Sequence, residues 1–253
     1  MLDRSRTLLC CAWGALFAVA LAPACGGAAN RDALRQIVQE QCVVHWSQQH
    51  SVRPCERLFL PEAPHASEGF AVLADRKGGA HFLLIPVKTV AGMESPELLD
   101  PGTPNYFAAA WQARDLLSGA AGRPIRRGDV GLALNPRHAR TQDQFHIHIE
   151  CLRPDIAQTL RRAALRATGA WTRLTIAGSS YQALRVMGSD LDGADPIELL
   201  ANGVAEARAA MGDYTLVAAG MEFPEGPGFI LLASDGPAGE LLLDPTCAIA
   251  ATP

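Results

Sequence analysis

The chain has 253 residues, of which 49% are hydrophobic and 19% charged, and its formal net charge is -4. A chain of this length buries a substantial core and fits one large domain or two small fused ones. It has 22 Lys and Arg against 26 Asp and Glu, and no basic run, which excludes the usual electrostatic signature of nucleic-acid binding. We therefore expect no nucleic acid partner.

The N-terminal segment, residues 1–30, has the pattern of an export signal or a membrane anchor. Arg4 and Arg6 precede the apolar run TLLCCAWGALFAVALAPA, and small residues follow. The run is longer than many signal-peptide cores and shorter than the roughly 20 residues that span a bilayer. A cleaved signal and a retained anchor with its arginines in the cytoplasm are both open. Lipid attachment at Cys25, which follows a poor lipoprotein cleavage pattern, is a third alternative.

The remaining residues, 31–253, form one predicted domain with four cysteines. An even number of cysteines behind an export segment favours two disulfides in an oxidising compartment. Of the three possible pairings we favour a short local loop closed by the first two cysteines and a bond between the last two. The second bond would tie the C-terminal tail to a strand, and free buried thiols are the alternative to both. The favoured pairs are Cys42–Cys55 and Cys151–Cys247.

The motif-bearing half of the domain, residues 31–165, has the order of an α+β fold. Helices are indicated by apolar residues at helical spacing, strands by short apolar runs, and a loop by three prolines in residues 43–67. The succession after this loop is β-β-α-β-β-α, which is typical of an α+β fold. The predicted elements are a helix at 31–41, strands at 69–75 and 81–87, a helix at 104–122, strands at 129–135 and 145–151, and a helix at 153–165.

The second half, residues 166–253, repeats the order strand, helix, strand, strand found in residues 81–151, but it contains no histidine. One interpretation is an internal duplication whose second copy completes the sheet or shapes the site, and chance similarity is the alternative. The predicted elements are a strand at 181–187, a helix at 195–212 and strands at 214–220 and 228–234.

The sequence FHIHIE at residues 145–150 places polar residues at every second position of a predicted strand. Side chains alternate across a strand, so His146, His148 and Glu150 share one face while the apolar residues between them point into the core. By itself the pattern fits two solvent-facing histidines or a zinc site, because His-x-His on a strand can bind one metal. Zinc needs a third ligand, for which Glu150 and Asp143 are the nearby residues.

The surrounding residues resemble the histidine-triad (HIT) superfamily of nucleotide hydrolases and transferases. Asn135 ends the strand before the histidines, HFLLIP precedes a helix, and RTQDQ supplies amide and guanidinium donors suited to phosphate. The superfamily motif is His-apolar-His-apolar-X-apolar, and X is a third histidine in most members. Here X is Glu150, a departure that fits the branch in which X varies. The resemblance implies a HIT-like antiparallel sheet with packed helices.

Longer stretches are similar to the bacterial CDP-diacylglycerol pyrophosphatases. The resemblance is carried by ESPELLDPGTPNYFAAAWQARD, by RTQDQFHIHIECLRPDI and by the placement of the four cysteines behind a hydrophobic leader, and it covers nearly the whole chain. It implies a phospholipid-metabolism hydrolase that splits the pyrophosphate bond of CDP-diacylglycerol into CMP and phosphatidate. It also implies a nucleotidyl-histidine intermediate and no metal or other cofactor.

The resemblance assigns the chemistry to the histidine strand and the loop before it. His148 is the expected nucleophile, because a neutral imidazole is nucleophilic near pH 7, and a backbone carbonyl is expected to hold the proton on its other ring nitrogen. His146 is expected to orient the phosphate or the nucleophile. Glu150 cannot donate to a phosphate when ionised, so we expect it to orient neighbours of His148 or the attacking water. The expected substrate- and phosphate-binding residues are Asn135, Arg140, Thr141, Gln142 and Glu150.

The expected partners are the lipid-nucleotide substrate and the bacterial inner membrane. A diacylglycerol-bearing substrate lies in the bilayer, so a single N-terminal anchor would keep a periplasmic catalytic domain within reach of it. A periplasmic protein released by signal cleavage is the alternative location. Two other functions stay open: an exported zinc-dependent hydrolase that uses the His-x-His pair, and an inactive nucleotide- or lipid-binding protein on the same scaffold.

Overall fold

The computed structural model describes residues 30–251. The predicted signal or anchor, including Cys25, lies outside the described residues, as do the last two residues of the chain. Within residues 30–251 no helix has both the length and the apolar character needed to cross a membrane.

A single antiparallel sheet of ten strands forms the centre of the structure. Its strand order is β1-β2-β3-β5-β4-β8-β9-β7-β6, and β10 pairs with the end of β5. The mixture of this sheet with packed helices confirms the predicted α+β class. The strands are β1 (Arg57–Phe59), β2 (Phe70–Ala74), β3 (Phe82–Pro86), β4 (Val130–Leu134), β5 (Ile147–Leu152), β6 (Thr172–Ile176), β7 (Ser179–Met187), β8 (Thr215–Phe223), β9 (Gly226–Ser234) and β10 (Leu243–Asp244).

The helices cover both faces of the sheet. The N-terminal helix, residues 33–49, is continuous through a π-helical segment, and the others are regular α-helices joined by loops and 3-10 turns. The helical segments are α1 (Ala33–Gln36), the π segment Ile37–Cys42, α2 (Val43–Gln49), α3 (Tyr106–Gln112), α4 (Asp115–Ala121), α5 (Pro154–Ala164) and α6 (Pro196–Gly203).

Two predicted segments of the first half differ from the structure. The predicted loop at 43–67 is wrong at its start, where the helix continues to Gln49, and at 57–59, which form β1. The reason is tertiary, because Val38 and Cys42 are buried against β2 and β3 and the disulfide Cys42–Cys55 holds the following segment there. The predicted helix at 104–122 is interrupted between α3 and α4 and ends at Gly122 in a left-handed conformation.

Two further differences lie in the second half. The predicted helix at 195–212 ends at Gly203, where a Cβ would lie 2.3 Å from Nε1 of Trp171, and 3-10 turns follow it. Strand β6 was not predicted, since most of its side chains are exposed and it lies at the edge of the sheet. The strands predicted at 181–187, 214–220 and 228–234 are confirmed as parts of β7, β8 and β9.

Strands β4 and β8 join the two halves of the sheet. Counting outward from that boundary, the order β4-β5-β3-β2 on one side is matched by β8-β9-β7-β6 on the other. The strand register agrees with this match. One row of paired residues crosses the boundary and contains, in order, His148 on β5, Ala133 on β4, Val217 on β8 and Leu232 on β9. The arrangement is what a duplicated unit predicts, and a common origin of the halves stays a prediction.

The histidine strand β5 separates two cores. On one face, Phe145 packs against Tyr106 of α3 with ring centres 5.6 Å apart, within the main core that also contains Ile147 and Ile149. On the other face, Leu34 of the N-terminal helix belongs to a smaller cluster on β2 and β3. The alternation predicted for residues 145–151 is thus confirmed on its apolar side.

Both favoured disulfide pairings are confirmed. Cys42–Cys55 joins the N-terminal helix to the segment before β1, and Cys151–Cys247 joins β5 to the C-terminal segment. The second bond reinforces the pairing of β10 with β5, so the end of the chain is fixed next to the histidine strand.

Candidate active site

Three buried polar side chains meet where β5 runs beside the start of β3. Nδ1 of His148 lies 3.0 Å from Nε2 of His81, and the same nitrogen of His81 lies 3.1 Å from Oε1 of Glu150. Glu150 Oε1 is also 3.7 Å from His148 Nδ1. The pairing of Phe82 with Ile149 sets this meeting, because it places the residue before β3 beside the histidine strand.

Asn135 determines which nitrogen of His148 carries a proton. Its Oδ1 accepts the backbone N–H of Glu240 at 3.2 Å, so its amide nitrogen must face His148, whose Nε2 lies 3.3 Å away. The amide nitrogen can only donate, and Nε2 of His148 therefore presents its lone pair. The proton of the neutral ring then lies on Nδ1 and points to Nε2 of His81.

His146 lies one residue before β5 and is held differently. Its Nδ1 donates to the backbone carbonyl of Gln144 at 2.7 Å, which leaves the lone pair on Nε2. The ring centres of His146 and His148 are 5.1 Å apart. The expectation of a backbone carbonyl partner for His148 is therefore wrong in this structure. His146 has that partner, because it sits outside the strand ladder, whereas His148 has the side chain of His81.

Burial controls the charge of these groups. His146, His148 and Glu150 are only 7%, 5% and 3% exposed, so the alternative of two solvent-facing histidines is wrong. Burial lowers the pKa of His148 and lowers the pKa of His146 to about 4, so both rings are neutral at pH 7. Burial also lowers the pKa of His81 and raises the pKa of Glu150 to about 7. Glu150 therefore exchanges its proton near neutral pH.

A cavity of about 210 Å³ opens in front of His148. Most of its apolar lining comes from the N-terminal helix, β2 and β3. Its polar lining includes both histidines and Asn135, and Arg76 and Lys77 lie in the turn after β2. The cavity therefore offers an apolar side and a cationic group near a nucleophilic nitrogen. The apolar lining consists of Ala33, Leu34, Ile37, Leu73, Ala74, Leu83 and Ala139.

The predicted phosphate-binding loop lines this cavity, but two of its side chains already have partners. Arg140 donates two hydrogen bonds to the carboxylate of Glu94, at 2.8 and 2.5 Å. Gln142 accepts the backbone N–H of Leu34 at 3.1 Å and donates to the carbonyls of Asn30 and Thr141, so it fixes the start of the N-terminal helix. Phosphate binding by Arg140, Thr141 and Gln142 stays a prediction, and the geometry favours it least for Gln142.

A family model for CDP-diacylglycerol pyrophosphatase matches residues 29–251. The chain belongs to the CDP-diacylglycerol pyrophosphatase family. One relative in Yersinia pestis, named CDP-diacylglycerol pyrophosphatase, is 38% identical over 229 residues, which cover 87% of this chain and 85% of the relative. The family resemblance drawn from the sequence motifs is confirmed. The wider likeness to the HIT superfamily stays a prediction.

Two residues that contact His148 were missed in the sequence. His81 is the first residue of HFLLIP, so a motif marked its position although its contact with His148 spans 67 residues of chain. Glu240, in the 3-10 turn Gly239–Leu242, brings its Oε2 to 3.5 Å from Nε2 of His148. No local pattern marked Glu240, because it is one of several glutamates in the half of the chain that lacks histidine and it lies in no motif.

His81, His148 and Glu150 are also the one group of three potential metal ligands within residues 30–251. The zinc alternative had instead paired the two strand histidines with Glu150 or Asp143. His146 is not part of the group, and Asp143 forms an ion pair with Arg31 at 2.6 Å. A metal on Nδ1 of His148 would put the ring proton on Nε2, opposite the N–H donor of Asn135. The hydrogen bonds therefore favour a free nucleophile.

Proposed function

We propose that this protein hydrolyses CDP-diacylglycerol to CMP and phosphatidate through a nucleotidyl-histidine formed on His148. Membership of the family supports the reaction. The covalent route is supported by the hydrogen bonds of His148. Asn135 contacts Nε2, which presents its lone pair beside the cavity, and His81 accepts the proton of the other ring nitrogen.

In the first step Nε2 attacks the phosphorus next to cytidine. The bond from that phosphorus to the bridging oxygen breaks, and phosphatidate leaves with the electron pair. The ring becomes a cation that keeps its proton on Nδ1, where His81 accepts it and the Glu150 carboxylate lies 3.7 Å away. The Glu150 carboxylate does not accept this proton, and it stabilises the imidazolium through its charge alone.

An amide donor and two cationic side chains stabilise the negative charge of the pyrophosphate. The amide of Asn135, released from Nε2 when the N–P bond forms, donates to an oxygen of the bound phosphorus. Arg76 and Lys77 add two positive charges from the turn after β2. The apolar lining supplied by the N-terminal helix and β3 suits the glycerolipid side of the substrate more than its phosphates. Water then cleaves the N–P bond and releases CMP.

A location at the inner membrane is part of the proposal. The N-terminal helix begins at Ala33, directly after the apolar leader of residues 1–30, and its first turns line the cavity. An anchor retained in the bilayer would therefore hold the cavity near the lipid surface, with the domain in the periplasm. The disulfides support an oxidising compartment.

The test is a rapid-quench experiment on the full-length chain in detergent micelles containing EDTA. The substrate is CDP-diacylglycerol labelled on the phosphorus next to cytidine. We expect acid-labile, base-stable label on the protein together with CMP release, and neither in His148→Ala. His65→Ala, which changes an exposed histidine outside the cavity, is the matched control and should behave as the wild type.

Each other outcome has a separate meaning. Turnover that EDTA abolishes, with no labelled protein, would make the His81, His148 and Glu150 group a zinc site, the second candidate function that the ligand geometry supports. Substrate binding without turnover in either condition would make the protein an inactive binder. Label that persists in His148→Ala would move the nucleophile to another residue.

A further inference from the structure

Two carboxylates lie beside His148, and they differ in the nitrogen that they face. Glu150 lies behind the ring, near Nδ1, and its side chain is 4% exposed. Glu240 lies in front, with Oε2 3.5 Å from the reacting nitrogen Nε2, and its side chain is 31% exposed. Glu240 also lines the cavity. Only Glu240 of the two is therefore placed between the reacting nitrogen and solvent.

The backbone around Glu240 is fixed on the sheet. At Gly239 a Cβ atom would lie 2.5 Å from Oγ1 of Thr215 and 2.9 Å from Cγ2 of Val217, so only glycine lets the chain pass this close. The next residue donates its N–H to Asn135, the residue that contacts Nε2 of His148. The position of the carboxylate is thus set by the same amide that sets the tautomer of the nucleophile.

The segment after Glu240 is fixed as well. Leu243 and Asp244 of β10 pair with Leu152 and Cys151 of β5, and the disulfide to Cys247 closes the segment on the same strand. The close packing at Gly239, the hydrogen bond to Asn135, the pairing of β10 and the disulfide therefore hold the segment that carries Glu240 beside His148.

We infer that Glu240 is the general base that activates water for hydrolysis of the nucleotidyl-histidine. This inference rests on the proposed intermediate at His148. In the step, a bond forms between the water oxygen and phosphorus, the P–Nε2 bond breaks, and the electron pair returns to Nε2. The water proton goes to the Glu240 carboxylate, and the Nδ1 proton stays between His148 and His81. Phosphatidate leaves in the first step as a phosphate oxyanion, so that step needs no proton from Glu240.

His146 is the competing base, because its Nε2 also carries a lone pair in the cavity wall. It is only 7% exposed, and a proton on it would create a buried cation next to His148. A proton on Glu240 instead removes a negative charge that lies next to an anionic phosphate. Electrostatics and access to water therefore both favour Glu240.

The test compares the two chemical steps in Glu240→Gln, with full-length protein and labelled CDP-diacylglycerol in detergent micelles. We expect a burst of one phosphatidate per active site, as in the wild type, followed by CMP release slower by roughly 100-fold or more. The label should accumulate on the protein and be absent from the double variant Glu240→Gln with His148→Ala. Glu225→Gln, an exposed glutamate paired with Arg185, is the control and should turn over normally.

Two further variants protect the test against a folding defect. Glu240→Asp keeps a carboxylate and should recover part of the second step, and added formate should accelerate label release from Glu240→Ala.

An adduct that decays at the wild-type rate in Glu240→Gln would overturn the inference alone. So would loss of the phosphatidate burst in a folded variant, or adduct accumulation in His146→Gln instead. Hydrolysis with no adduct in any variant would overturn the proposed function and, with it, this inference.

Discussion

The two halves of the sheet share an order of strands but differ in the residues that occupy corresponding places. His148 on β5 and Leu232 on β9 each lie one strand outward from the boundary between β4 and β8, in one row of paired residues. Two residues farther along these strands, Glu150 corresponds to Ser234. The first half therefore has two ionisable side chains, His148 and Glu150, at positions where the second half has the apolar Leu232 and the hydroxyl of Ser234.

The two halves of this row differ in burial as well as in residue type. Leu232 is fully buried in the main core, whereas His148 borders a cavity. Strand β8 covers what would otherwise be an open edge of β4, and an open edge is prone to pairing with other chains. The C-terminal segment then returns over the sheet and supplies Glu240. The candidate site thus combines the histidine strand of the first half with a carboxylate from the second.

The largest expected effect comes from truncating the two corresponding residues in turn. His148→Ala should lower hydrolysis to less than a few per cent of wild type and leave the melting temperature nearly unchanged, because its ring borders a cavity. Leu232→Ala should keep the chemistry and lower the free energy of unfolding by about 2–5 kcal/mol, the usual cost of a buried cavity. Turnover assays and urea unfolding of both variants check this contrast, and a catalytic loss in folded Leu232→Ala would contradict it.

A smaller catalytic effect is expected at Asn135, next to the boundary strand β4. Asn135→Ala removes the donor to Nε2 of His148 and should lower kcat by roughly 10²-fold or more. Asn135→Asp should be no better, because a carboxylate accepts rather than donates and disfavours the lone pair on Nε2. Steady-state kinetics on both variants test this, and wild-type kcat in Asn135→Asp would remove the tautomer argument.

The bond Cys151–Cys247 is the covalent tie between the two halves, and breaking it sharpens their comparison. Changing both cysteines to serine should lower the free energy of unfolding by about 2–4 kcal/mol, and it should also lower kcat, because the tie fixes the segment that carries Glu240. The same change at Cys42 and Cys55 is the control for a purely local disulfide. Unfolding and turnover measured together separate the two effects, and an unchanged melting temperature would contradict the structural role.

The smallest expected effect is on the pH dependence of stability. Burial lowers the pKa of His146 from 6.5 to about 4, so its contribution is present above 6.5 and is lost as the pH falls toward 4. Burial raises the pKa of Glu150 from 4.5 to about 7, so its contribution is present below 4.5 and is lost as the pH rises through 7. The two oppose each other between pH 4.5 and 6.5.

Single substitutions should expose each contribution in that window. Glu150→Gln should lose stability more steeply than wild type as the pH falls from 6.5 to 4.5, and His146→Gln should show the reverse change. Melting temperatures at a series of pH values measure both slopes. Ser234→Ala, which changes the counterpart of Glu150 in the second half, should leave the slope as in wild type. Parallel curves for all four proteins would contradict the assignment.

Local patterns in the sequence predicted the α+β class and the strands around the histidines, and they favoured the two disulfide pairings that the structure shows. The alternation of residues 145–151 was sufficient to place Phe145 and Ile147 in the core and His148 on the opposite face, because side-chain direction in a strand has a period of two residues. Family motifs added Asn135 to the candidate site, and the structure places its amide nitrogen 3.3 Å from Nε2 of His148.

The tertiary structure alone decided what surrounds His148. His81 reaches His148 through the pairing of β3 with β5, and Glu240 reaches Asn135 across 105 residues through the return of the C-terminal segment. Such contacts depend on strand register and on how a distant segment packs, and neither leaves a periodic signal near the residue itself. The surroundings of Glu150 also depend on strand pairing, which brings Nε2 of His81 to 3.1 Å from its carboxylate, so its raised pKa belongs to the fold rather than to the motif.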